Sequence, residues 1–251
     1  LVGSEMCIRD RATSDVITFL QRAGIGKKQL IMDGTEFLLR IQINDNRKYP
    51  SQNGGFPPMG DFEFIRNTAF TDSTADAVLA LLSTYTKIRQ EIYGTKHTEQ
   101  KKGLQQKLKD KDISNSIDSG IKWLLRCFDK TKNVLPTYSI DEENIVGPKR
   151  YFPTMLCGIS FLTYMDYCRN ISGQARHEIN KNVEKLVSDT CKMLLKKGYI
   201  PFNVESDKPS ITSTILAIEF LHIYLKNVKI KNVHEDALSL SLIHISEPTR
   251  L

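Results

Sequence analysis

Two carboxylates and one basic, aromatic cluster are the residues of this chain whose types and spacing best suit chemistry. Asp72 and Asp76 stand one helical turn apart in "FTDSTADAVLALL", so on a helix their carboxyls share a face. A carboxyl kept protonated by its neighbours could act there as a proton donor. A lone Asp ahead of an apolar run serves first as a helix cap, with Thr71 or Asp72 in that place, and Asp76 reads as solvated or capping. The second cluster, "GPKRYFPT", gathers Lys149, Arg150 and Tyr151 just ahead of Pro153, whose fixed φ suits the first turn of a helix. Cations and a phenol beside the partly positive end of a helix suit an anionic or polar ligand.

The remaining chemical residue types form no set. Cys127, Cys157, Cys168 and Cys191 include no Cys-x-x-Cys pair and no His at zinc-finger spacing; they read as buried reduced thiols, which points to a reducing, cytoplasmic setting. No cofactor is evident. "AGIGKKQ" separates Gly24 and Gly26 by one residue and puts Lys28 where a phosphate loop needs a hydroxyl, so the glycines read as a helix C-cap. The chain carries a net charge of +6. Much of the excess lies in "KHTEQKKGLQQKLKDKD" (96–112), where no aromatic is interleaved; this reads as a solvated helix or linker and not as a nucleic-acid surface. No apolar run reaches the roughly 18 residues of a membrane span.

The elements that must position these residues are helical. "KKQLIMDGTEFLLRIQI" sets Leu30, Ile31, Phe37, Leu38 and Ile41 near one face, and "DSTADAVLALLSTYTKI", "DSGIKWLLRCF", "TMLCGISFLTYMDYC", "NVEKLVSDTCKMLL" and "SITSTILAIEFLHIYL" continue the pattern. The spacing predicts an all-α fold built of helical hairpins over about 29–92, 115–168 and 180–227. In each, a first helix ends in an aromatic or Met followed by Leu-Leu (Phe37, Trp123, Met193), and a Gly/Pro/aromatic loop follows. A hydroxyl residue then opens the second helix: Thr74, Thr154, Ser213. Gly54 and Gly55 in "QNGGF" permit a tight reversal, and Phe56 can wedge between neighbouring hairpins.

The two ends stand apart from this repeat. Met6–Asp10 can be encoded by ATG TGT ATA AGA GAC, which with a following AG is the reverse complement of CTG TCT CTT ATA CAC AT, a coding sequence for Leu240–Ile245. The ends therefore resemble one inverted DNA segment, similar to a transposase-type sequencing adapter. Residues 1–11 and 240–251 are expected to be adapter-derived and to pack poorly, and 12–239 to be a fragment of one domain.

"QNGGFPPMGDFEFIRNTAFTDSTADAVLALLSTY" resembles the repeat of the terpenoid-cyclase/protein-prenyltransferase superfamily, with its Gln…Gly-Gly-aromatic turn and Asp-Thr-Ala-type helix start. "WLLRCFDKTKNVLPTYS…RYFPTMLCGISFLTYM" and "MLLKKGYIPFNVESDKPSITSTILAIEFL" look like degenerate copies. The resemblance implies an α/α toroid, of which this chain would form about half, with the second helices lining a central cavity. It places Arg66, Asp72, Lys149, Arg150, Tyr151 and Ser210 on one rim. The acid motif of the family's cyclases falls on Phe70-Thr71-Asp72-Ser73, where Asp72 alone is a carboxylate. The family's prenyltransferases hold zinc through Asp, Cys and His; Cys157 lies in a helix of the right kind, but no Asp-x-Cys pair accompanies it, and His177, His222 and His234 lie at other spacings. The expectation is therefore a toroid that binds a peptide, isoprenoid or other ligand in its cavity without the usual catalytic set. Alternatives are a fragment of a cyclase or prenyltransferase whose catalytic residues lie elsewhere, or an α/α-toroid polysaccharide lyase. "FLLRIQINDNRKYPSQNGGFP" is similar to a segment of a helical pectate-lyase family, with Arg66 and Arg150 facing acidic sugar.

Overall fold

Apolar residues at helical spacing organise seven helices among the described residues. The computed structural model describes residues 8–24, 28–47, 50–58, 68–94, 110–128, 134–137, 139–140, 145–146, 148–167 and 173–227. The helices are α1 (Ile8–Arg22), α2 (Lys28–Ile41), α3 (Thr71–Gly94), α4 (Asp110–Cys127), α5 (Tyr151–Tyr167), α6 (Gly173–Lys197) and α7 (Ile211–Asn227). None is long and apolar enough to cross a membrane. The mostly helical fold matches the all-α expectation. The expected boundary at residue 11 falls inside α1, and residues 240–251, Cys168 and His234 lie outside the described residues.

Small two-stranded pairings, which no periodicity announces, join the helices. β1 (Leu135–Pro136) pairs antiparallel with β4 (Lys149–Arg150), and β2 (Ser139–Ile140) with β3 (Ile145–Val146). The chain divides into two compact units, Leu1–Cys127 with Thr137–Gly147 and Phe128–Pro136 with Pro148–Leu251.

In the first unit α3 packs along α1 and α4. Thr74, Ala75, Ala77, Val78, Leu81 and Leu82 of α3 are all buried, as expected of a helix covered on most of its circumference. Ile113, Ile117, Ile121 and Leu124 give α4 a single apolar stripe. The "QNGGF" reversal forms as its glycines predict. Gly54 has φ +99°, and a Cβ there would stand 2.5 Å from the Ser119 carbonyl oxygen, so only glycine fits. Side chains from elsewhere in the unit tie the turn down. Gln42 Nε2 donates to the carbonyls of Gly54 and Ser116, 2.9 Å each, and Ser116 Oγ donates back to Gln42 Oε1 at 2.6 Å. Trp123 Nε1 donates to Ser51 O at 2.9 Å, and Arg126 to Asn53 O at 2.6 Å.

In the second unit α5 packs against α7 and α6. Gly158 lets α5 approach closely, since a Cβ there would lie 2.7 Å from the Phe220 ring and 2.9 Å from Leu186.

One local arrangement occurs at three helix starts. The Phe56 N–H donates to Thr74 Oγ1 at 2.9 Å, and Phe70 N–H to Phe56 O at 3.0 Å. The Leu135 N–H donates to Thr154 Oγ1 at 2.9 Å, Thr154 Oγ1 donates to Arg150 O at 2.8 Å, and Leu135 pairs with Arg150. The Ile200 N–H donates to Thr214 Oγ1 at 2.9 Å, Thr214 Oγ1 to Ser210 O at 2.7 Å, and Ser210 N–H to Ile200 O at 3.0 Å. In each case a threonine in the first turn of a helix accepts an otherwise orphaned N–H from the extended segment before it. The third copy corrects the sequence expectation by one position. Thr214, not Ser213, is the equivalent of Thr74 and Thr154, because only its hydroxyl reaches both Ile200 and Ser210; Ser213 is fully buried and its Oγ has no hydrogen-bond partner.

Candidate functional site

The basic, aromatic cluster is assembled by the junction that precedes α5. The β1–β4 pairing fixes Lys149 and Arg150 in extended backbone, and Thr154 holds the turn into the helix. The segment after α6 runs alongside: Arg150 forms an antiparallel bridge with Asn203, and the Val204 N–H donates to Lys149 O at 3.2 Å. Residues directly opposite in such a bridge project to the same face, so the Arg150 and Asn203 side chains stand together.

Their polar atoms are unsatisfied. Arg150 Nε and Asn203 Oδ1 are both buried and neither has a hydrogen-bond partner. One is a donor and the other an acceptor, and each costs about 1–3 kcal/mol if left unpaired in the interior. The Arg150 guanidinium also lies 5.1 Å from the centre of the Phe202 ring, which is 46% exposed, a cation–π contact on an accessible aromatic.

Two charged groups pair across the turn that follows α6. Lys197, at the end of α6, hydrogen-bonds to Asp207, and Tyr199 Oη donates to Asp207 O at 2.9 Å. The Asp207 hydrogen bond holds the Lys197 ammonium above its usual lysine range. Burial pushes the Tyr151 phenol up; the Lys197 ammonium draws it partly back, and the Asp189 carboxylate adds to the rise. Tyr151 is thus a neutral hydrogen-bonding group near the Lys197 ammonium throughout the physiological range. Ser210 is the cap of α7: its Oγ accepts the Ser213 N–H at 3.2 Å and its O accepts the Thr214 N–H at 3.0 Å.

The other expected residues fall as follows. Arg66 lies outside the described residues. Asp72 sits in the first unit, in the first turn of α3, and its Oδ1 accepts the Ser73 N–H at 2.9 Å. The helix starts one residue earlier than a cap at Thr71 requires and two earlier than a cap at Asp72, since Thr74 N–H already donates to Phe70 O. Thr71 is drawn sideways instead, its N–H and Oγ1 both donating to Thr137 O at 2.9 and 3.2 Å. Asp76 is not solvated: it is 8% exposed, because α3 is covered on this face too. Cys157 is fully buried in the middle of α5 and Cys191 is buried on α6, the latter with its thiol pushed up by burial. Among the described residues no group of three or more His, Cys, Asp and Glu could hold a metal ion.

Arg150 thus stands with Asn203 and Phe202, and Tyr151 within electrostatic reach of Lys197, partners that spacing along the chain did not reveal; Lys149, next to Arg150 in extended backbone, projects to the other face. Asn203 lies in "YIPFNVESDKPS", which has neither helical nor alternating period; only its pairing with distant Arg150 gives it a place.

The chain matches no known protein family, no curated protein and no solved structure.

Proposed function

We propose that this chain is part of an α/α toroid of helical repeats that binds a ligand bearing a carboxylate or comparable anionic group, such as an acidic peptide, at the start of α5. The observation that carries the reading is the buried, unpartnered Arg150 Nε beside an unpartnered Asn203 Oδ1. An anionic group on the ligand pairs with a half-buried guanidinium that the Asn203 bridge and the Phe202 ring already hold in place. The exposed Phe202 ring supplies apolar surface, Tyr151 a neutral hydroxyl, and the α5 N-terminus a partial positive charge. The repeat within that reading is supported by the threonine-locked junction found at three helix starts. The binding role, in preference to catalysis, is supported by the work done by the residues in catalytic positions: Asp72 accepts an N–H of its own helix, and Cys157 is core.

The test is fluorescence polarisation with labelled Asp/Glu-rich peptides against wild type and Arg150→Gln. A hydrogen bond to a charged group is worth about 1.5–3 kcal/mol, so the variant should bind about tenfold or more weakly. Equal binding by variant and wild type would remove Arg150 from the site, and equal binding of neutral and acidic peptides would remove the anionic specificity.

A further inference from the structure

Residues 199–209 join α6 to α7, carry Phe202 and Asn203, and lie against the start of α5. Their root is fixed by burial, since Ile200 is fully buried and Pro201 is buried beside it. Beyond the root this hold ends: every residue from Phe202 to Pro209 is half-buried or exposed. An arm without a core of its own stays where its polar bonds keep it.

Those bonds run in three directions. Within the arm, the Phe202 N–H donates to Lys208 O at 3.0 Å and the Lys208 N–H to Ser206 Oγ at 3.2 Å, and Pro201 and Pro209 form an antiparallel bridge, so the arm is a narrow hairpin. Toward α5, the bridge of Asn203 to Arg150, the Val204 N–H on Lys149 O and the Phe202 ring on the guanidinium give its points of contact. Toward α6, Lys197 pairs with the Asp207 carboxylate, and Tyr199 Oη donates to Asp207 O at 2.9 Å. Asp207 is therefore held twice, through its side chain and through its backbone, and the next carbonyl along, that of Lys208, is the one that accepts the Phe202 N–H. A hold on Asp207 reaches Phe202 through a single further hydrogen bond.

We infer that residues 199–209 form a strap across the start of α5, and that Asp207 is the positioning residue that clasps this strap to the end of α6 and so keeps Phe202 and Asn203 against Arg150. The effect on ligand rests on the reading of Arg150 as an anion site; the clasp itself does not. The sign of the effect is distinctive. Asp207 is a carboxylate on the arm that lies against Arg150, so if its charge alone mattered, neutralising it would favour an acidic ligand. If it positions the arm, neutralising it disfavours the same ligand.

The test uses two variants of the whole chain. Asp207→Asn removes the ion pair, and Tyr199→Phe removes the other bond without changing any charge. Exposed contacts of this kind are worth a factor of about two to five. Without ligand, amide hydrogen exchange at Phe202 and Val204 should accelerate by about that factor in each variant and further in the double variant, with exchange at Leu156 in the middle of α5 unchanged. Fluorescence polarisation with a labelled Asp/Glu-rich peptide should show binding weakened about two- to fivefold in both variants, recovery in Asp207→Glu, and no further loss when Asp207→Asn is combined with Arg150→Gln. Equal or tighter binding by Asp207→Asn, or unchanged exchange at Phe202 and Val204, would overturn the inference. If the wild type binds no acidic peptide, the reading of the Arg150 site falls, and the exchange rates alone decide whether the strap is clasped.

Discussion

Replacing Thr154 by Val tests the junction directly, because it removes one hydroxyl and keeps the shape. Thr154 is fully buried; its Oγ1 takes the Leu135 N–H and donates to Arg150 O. In the variant the Leu135 N–H has no acceptor, and an orphaned buried donor costs about 1–3 kcal/mol. The Arg150 carbonyl loses less, since it retains its place in the β1–β4 pairing. A net loss of about 2 kcal/mol corresponds to a fall in melting temperature of about 4–8 °C for a chain of this size. Thr163→Val is the internal control: Thr163 Oγ1 only bonds back to Ile159 O, 2.8 Å away in its own helix, and its loss should cost under about 0.5 kcal/mol. Thr214→Val should fall between them, because its bond to Ile200 is only part-buried. The assays are thermal unfolding followed by circular dichroism and amide hydrogen exchange at Leu135, which should accelerate in Thr154→Val and not in Thr163→Val. Equal melting temperatures for those two variants, with the Leu135 amide still protected, would refute the account of the junction.

Three further outcomes are expected. Gly54→Ala should destabilise by more than about 2 kcal/mol, since it adds to left-handed strain a clash with the Ser119 backbone at 2.5 Å; Gly24→Ala, at φ +65° with open space around it, should cost only about 1 kcal/mol; urea titration separates the two. Stability should fall as pH rises above 9: burial raises the Cys191 thiol above its ordinary 9.0 and the Tyr151 and Tyr224 phenols above 10.0, so the unfolded chain loses these protons first and is favoured. Urea midpoints across pH 8–11 check this, and Cys191→Ala should delay the onset. Gln42→Leu should loosen the "QNGGF" turn, leaving the Ser116 hydroxyl without its acceptor; faster hydrogen exchange at Gly54 and Gly55, with little change in α5, is the expected pattern.

The helices were legible because their apolar residues recur at the period of the backbone itself, as in Ile113, Ile117, Ile121 and Leu124. The Gly54 turn was legible because no other residue tolerates that geometry. The junction was legible in type but one position off in its third copy, since Ser213 and Thr214 carry the same functional group and only the distance to Ile200 separates them. Asp76 misled because a carboxylate on a helix is solvated unless a neighbour covers it, and the neighbour is distant in sequence. The same holds for Asn203 and for β1 and β4: strands of two residues have no period to read, and their partners lie far along the chain.

The closure of the first turn has a consequence for how such a chain can be lengthened or shortened. The carbonyls of Ser51, Asn53 and Gly54 are held from outside the turn, two of them wholly by α4 and the third by a glutamine that α4 itself anchors. The first turn is in this sense finished by α4, so a chain cut between α3 and α4 leaves the Ser51 and Asn53 carbonyls without these donors.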